Sequence, residues 1–171
     1  MTKYIFVEGF YDELFIRKIL TVQKIENEIK IVEYSQMKDE KINRFLSAIK
    51  SQESLFLFIA DEDGTHYSST SSRIDELKRR YTKLSEDDII LVVPEIEGWY
   101  IAGLTRATAK KLKLKSIPAA DNCTKERFSS ILPNKKDGTE VRNNILNNYE
   151  IEVAMTNSPS FKEFMERLQS L

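Results

Sequence analysis

"LFLFIADEDG" (Leu55–Gly64) decides how this chain folds. Apolar residues run unbroken from Leu55 to Ala60, and then Asp61 and Asp63 flank Glu62 before a glycine. A strand with one wet face alternates apolar and polar residues. A run that is apolar throughout suits a strand covered on both faces, as in a parallel sheet. "IILVV" (Ile89–Val93) has the same character, and "KYIFV" (Lys3–Val7) and "IKIVEY" (Ile29–Tyr34) read as two earlier strands. Leu14, Phe15, Ile19 and Leu20 have helical spacing between the first two strands. Phe45, Leu46 and Ile49, then Ile74, Leu77 and Tyr81, repeat it in the next two intervals. The order βαβαβαβ predicts an α/β sandwich, a four-stranded, mainly parallel sheet between helices joined by right-handed crossovers.

Beyond Val93 the pattern changes. Pro94 suits a helix start, with Trp99, Tyr100, Ile101 and Leu104 as the apolar residues of that helix. No strand is expected after Thr105. Short helices are expected near Thr108–Leu112, Lys125–Leu132 and Thr139–Asn148, and Ser160–Leu171 is amphipathic through Phe161, Phe164, Met165 and Leu168. Ser68–Ser72 and Asn134–Glu140 read as loops. The expected organisation is an α/β core over residues 1–104, with residues 105–171 as a helical extension packed on the same domain.

Composition narrows the chemistry. At 171 residues, 41% hydrophobic and 31% charged, the chain is long enough for one well-buried core. Its 26 basic and 27 acidic residues nearly cancel, so any surface for nucleic acid must be local. A single cysteine, Cys123, forms no internal disulfide, which points to a reducing compartment and a cytoplasmic protein. "MTKYIFVEG" lacks the apolar stretch of a signal peptide, and no segment reads as a membrane span. Lone Cys123 and lone His66 exclude a zinc site built mainly from those residues. Carboxylates remain, and they favour hard cations.

The acids sit where a parallel α/β sheet binds ligands, at the carboxyl ends of its strands. Glu8 and Asp12 follow the first strand, Asp61 and Asp63 the third, and Glu95 and Glu97 ("PEIEG") the fourth. Taken singly, each has an ordinary role. Asp12, Glu13, Glu95 and Glu97 suit helix N-termini, and Asp61 and Asp63 suit a turn ending at Gly64, with Asp63 or Thr65 as a cap. Glu8 has no capping role, and Gly9 beside it permits close backbone approach. Taken together, carboxylates crowded into one cleft need raised pKa values or a cation. Mg²⁺ or Mn²⁺, one ion or two, fits oxygen ligands and phosphate substrates.

"VEGFYDE" (Val7–Glu13) after one strand and "FIADEDG" (Phe58–Gly64) after the third resemble the topoisomerase–primase (TOPRIM) domain, over roughly Lys3 to Leu104. The match sets Glu8–Gly9 on that family's glutamate–glycine, and Asp61 with Asp63 on its Asp-x-Asp pair. Within the superfamily the chain looks most like the nucleases of the overcoming-lysogenization-defect (OLD) type. Those have a second acid four residues after the glutamate, matched by Asp12, and an acidic element after the fourth strand, matched by Glu95 and Glu97. The resemblance implies a Rossmannoid sandwich and a two-metal hydrolase that nicks or cleaves nucleic acid, DNA ahead of RNA. Glu8, Asp61 and Asp63 would be catalytic, and Glu8, Asp12, Asp61, Asp63, Glu95 and Glu97 would be metal ligands. It also implies an assisting lysine, Lys136 or its neighbour Lys135.

The departures from the family are the missing ATPase domain, since no Gly-x-x-x-x-Gly-Lys-Ser/Thr occurs, and the missing zinc module of primases. A separate ATPase partner and a dimer are therefore expectations. The alternative is a non-catalytic subunit that binds nucleic acid or assembles with such a partner. A phospho-acceptor receiver domain is disfavoured because no fifth strand with its lysine is evident.

Local positive charge lies in "LKRRYTK" (Leu77–Lys83) and "RATAKKLKLK" (Arg106–Lys115). Arg79, Lys110, Lys111 and Lys135 are the expected phosphate contacts. Such residues confer affinity without sequence preference.

Overall fold

The computed structural model describes residues 2–26, 29–63, 69–133 and 138–171. The chain divides into two compact units, Met1–Leu91 with Gln169–Leu171, and Val92–Leu168.

The first unit is the predicted α/β alternation: β1 (Lys3–Val7), α1 (Phe10–Gln23), β2 (Ile29–Glu33), α2 (Asp39–Ser51), β3 (Phe56–Asp61), α3 (Thr70–Arg80), then β4 (Ile89–Val92) up to Leu91. The strands form one parallel sheet in the order β2-β1-β3-β4, flanked by helices. β1 is central on both sides, with Val7 level with Glu33 of β2 and Phe6 level with Phe58 of β3. The chain first moves outward from β1 to β2 and then returns to β3 on the other side. The topological switch point therefore lies between β1 and β3.

Why both faces are apolar follows from the strand period of two. Phe6, Phe56, Phe58, Ala60, Ile89 and Leu91 share a core with Ile42, Leu46 and Ile49 of α2 and Leu77 of α3. The alternate residues Ile5, Val7, Leu57 and Ile59 are buried too, so the opposite face is also covered. Aromatic stacking adds direction to this core: Tyr34 lies on Phe58 with ring centroids 4.5 Å apart and 26° between planes. The helix ends obey simple electrostatics, with Asp39 and Glu40 in the first turn of α2 and Lys50 in its last.

The second unit holds α4 (Ile96–Ala102), α5 (Arg106–Lys111), α6 (Lys125–Ile131), α7 (Gly138–Leu146), α8 (Ile151–Asn157) and most of α9 (Pro159–Ser170). Every residue of α4 is buried, which is why "IEGWYIA" has no polar face. Trp99 stacks on Phe164 at 5.2 Å and meets Phe161 edge-on at 5.5 Å. Its indole N–H donates to Ser160 Oγ at 2.9 Å. Tyr149 donates from its hydroxyl to the Trp99 carbonyl at 2.7 Å, and Asn157 donates to that of Ala102 at 2.9 Å.

Several local expectations need correction. Pro94 does not open α4; Glu95 is its N-cap and Ile96 its first residue. Ser68–Ser72 is not a loop throughout, because Ser69 caps α3 with a capping box to Ser72 and Thr70 begins the helix. Ser69, not Asp63, is thus the cap of α3, and Thr65 lies outside the described residues. α7 begins at Gly138, so Asn134–Glu140 is a loop at most through residues outside those described. α8 was not expected at all.

Candidate metal centre

Parallel pairing brings the acids of β1 and β3 to one edge of the sheet. Continuing the Phe6–Phe58 register sets Glu8 level with Ala60, and Asp61 is the next residue of β3. On the other side, the β1–β2 ladder runs past the strands, with the Tyr34 N–H donating to Val7 O at 2.9 Å and the Ser35 N–H to Glu8 O at 3.2 Å. That continuation sets buried Tyr34 beside the end of β1. Its hydroxyl donates to the Ile59 carbonyl of β3 at 3.2 Å. Burial pushes the Tyr34 phenol well above its ordinary range, and the negative charges of Glu8, Asp12 and Asp61 push it further, opposed by Arg73. The three carboxylates, from the ends of β1 and β3 and the first turn of α1, thus share one electrostatic neighbourhood. Asp12 is 7% exposed, whereas Glu8 and Asp61 are half-buried.

Each remaining candidate has its own placement. Asp63, half-buried, lies two residues past β3 in the left-handed region with φ of 52°, a conformation aspartate tolerates. Glu13 is structural: Arg17, one helical turn on, donates to its Oε1 at 2.6 Å. A hydrogen bond from the Glu33 carboxyl lowers the Glu13 pKa, and the same bond raises that of Glu33. Gly9 is extended, with φ of −158°. A Cβ there would meet nothing nearer than Ser35 Oγ at 4.0 Å, so neither backbone conformation nor crowding demands glycine. Open space lies in front of the residue.

Glu95 and Glu97 have partners within the second unit. Glu95 Oε2 accepts the Lys125 N–H at 2.5 Å, capping α6 from outside. Glu97 Oε1 accepts from Arg142 Nη2 at 2.6 Å in a buried ion pair. The Arg142 guanidinium lies 4.6 Å over the Phe128 ring and 5.5 Å from that of Tyr100. Arg79 and Lys110 are exposed, and exposed Lys111 donates to Asn148 Oδ1 at 3.0 Å. Lys135, Lys136 and His66 lie outside the described residues.

Two residues of this neighbourhood escape a reading of the sequence for acids. Tyr34 looks like the last residue of a strand, and Arg73 looks like one more cation of a polar helix. A signal for Arg73 did exist. A cation close to a helix N-terminus opposes the helix dipole, so it implies a specific partner. That partner is the end of β3, where Arg73 Nε donates to the Asp61 carbonyl at 3.0 Å.

The donor set can be compared with a hard cation. Glu8, Asp12 and Asp61 offer only oxygen, from separate backbone anchors, as Mg²⁺ and Mn²⁺ require. Among the described residues, no three acidic, histidine or cysteine side chains stand close enough to hold one ion. The fit is therefore one of donor chemistry and shared field, not of a finished cage. A scan against protein-family models finds no match to this chain, and a search of curated proteins finds no significant one.

Proposed function

We propose that this chain is a TOPRIM-type, Mg²⁺- or Mn²⁺-dependent nuclease that cleaves or nicks phosphodiester bonds. The observation that carries the reading is placement: Glu8 follows β1, Asp61 ends its paired strand β3, and Asp12 lies in the first turn of α1, all at the switch point of the sheet. Ligand sites of open parallel sheets occur at such points. Glu8, Asp12 and Asp61, with Asp63 beyond them, would hold the cation. When bound, it supplies a Lewis acid for the scissile phosphate and acidifies the attacking water. The protein's own part is to bring acids far apart in sequence together at one sheet edge. Exposed Arg79, Lys110 and Lys111 supply phosphate contacts that carry no base preference.

The test is cleavage of supercoiled plasmid and of single-stranded DNA and RNA with Mg²⁺, Mn²⁺ or EDTA. Activity is expected with the metals and lost with EDTA, and Glu8→Ala and Asp61→Ala each lower it at least about a hundredfold. Equal activity in both variants and the wild type would refute the assignment. A second reading, a non-catalytic TOPRIM subunit that binds nucleic acid beside a separate ATPase, is favoured by two observations. Among the described residues no ready three-acid cage exists, and Glu97 is already ion-paired. Nucleic-acid binding that persists in EDTA, without cleavage under any metal, would select it.

A further inference from the structure

Arg73 is 9% exposed, an uncommon state for arginine, and its hydrogen bonds run in two directions. Nη1 donates to Glu76 Oε2 at 2.7 Å one turn along α3, while Nε donates to the Asp61 carbonyl at 3.0 Å. A buried guanidinium is costly unless opposite charge compensates it. Glu76 answers part of that need from the same helix, with 23% of its side chain exposed. The bond at Nε is to a neutral carbonyl, yet it fixes the guanidinium at Asp61, the last residue of β3. Glu8, Asp12 and Asp61 act on the Tyr34 hydroxyl from one sign, and Arg73 acts on it from the other.

We infer that Arg73 is the resident counter-charge of the carboxylates at the ends of β1 and β3, so that a divalent cation entering there binds against it. In the ion-free protein it relieves repulsion among Glu8, Asp12 and Asp61, and the site folds without metal. With an ion present, its positive charge weakens binding and keeps the ion exchangeable. Glu76 tempers Arg73 in turn, so the two side chains set the affinity in opposite directions. This inference rests on the reading of the carboxylates as a metal site.

The experiment is calorimetric titration of Mn²⁺ alone into the whole chain, with thermal melts of each variant before and after addition. Arg73→Gln is expected to bind Mn²⁺ roughly tenfold tighter or more, the effect of removing one nearby like charge at an effective dielectric below that of water. Arg73→Lys, which keeps the charge but cannot reproduce the fork, stays within about threefold of wild type. Glu76→Gln, which leaves Arg73 less neutralised, weakens binding roughly threefold or more. A purely structural arginine gives the opposite pattern: Arg73→Gln then binds more weakly or unchanged, in step with its lowered melting temperature, and the inference fails while the metal site stands. If Arg73→Gln does not fold, Glu76→Gln decides, and unchanged or tighter binding there overturns the inference. A wild-type chain that takes up no Mn²⁺ removes both the metal site and the inference.

Discussion

Glu97 and Arg142 lie 2.6 Å apart with 6% and 7% of their side chains exposed. Removing one partner of such a pair leaves the other charge buried, so Glu97→Gln is expected to cost about 3–5 kcal/mol. Replacing both by apolar residues of similar volume, Glu97→Leu with Arg142→Met, is expected to recover most of it. Urea denaturation of the three variants checks both outcomes, and added Mg²⁺ should leave the loss in Glu97→Gln unchanged. A loss that grows when Mg²⁺ is added would make Glu97 a ligand after all. Cys123 illustrates a second consequence of burial. Its thiol is pushed up to about 12 by burial first, then by the charge of Glu97, with Glu95 adding to it and Arg127 opposing. An unfolded cysteine ionises near ~8.5, so between that value and about 12 the unfolded chain has released a proton that the folded chain retains. Folding stability therefore falls with rising pH across that window, and Cys123→Ala removes this part of the slope. Denaturant melts at a series of alkaline pH values measure it.

Among elements, α4 shows where local propensity and packing conflict. Gly98 sits inside this buried helix, where alanine would gain about 1 kcal/mol of helix propensity. A Cβ at that position, however, would come 2.6 Å from Ala120 O and 3.2 Å from Val93 O, both backbone atoms. Overpacking of this kind costs about 1–3 kcal/mol, so Gly98→Ala is expected to lower stability on balance, as a drop in Tm. Glycine there was invisible to pattern reading, since its neighbour comes from a distant segment. The strands were legible because both faces of the sheet are covered, which leaves each strand continuously apolar. α8 was not, since "EIEV" (Glu150–Val153) alternates charged and apolar residues and offers no helical period. The candidate site was legible in part. Glu8, Asp12 and Asp61 could be placed by asking which residues follow a strand, because strand order carries them to one edge. Glu95 and Glu97 fit the same rule, yet their hydrogen bonds to Lys125 and Arg142 depend on helices that no motif announces. Tyr34 and Arg73 were missed because their roles come from tertiary neighbours.

For the molecule as a whole, the formal charge of −1 gives no general attraction to nucleic acid. Binding in the proposed function must come from exposed basic residues such as Arg79, Lys110 and Lys111. Replacing all three by glutamine is expected to weaken binding almost equally across sequences and to flatten its salt dependence, by about 0.9 in the logarithmic slope per lost contact on duplex. Fluorescence anisotropy in EDTA across a range of salt concentrations measures this apart from cleavage. A variant that binds as tightly, with the same slope, would exclude these residues from the interface.

The central place of β1 also has a consequence in time. β1 pairs with β3, which sets Tyr4 level with Phe56 far along the chain. β1 is synthesised well before β3, and closing so long a loop precedes the contacts that reward it. Glu8 and Asp61 come to the same end of the sheet only through that pairing. The placement of these carboxylates is thus a product of non-local pairing, and it carries the entropic cost of the loop closed between β1 and β3.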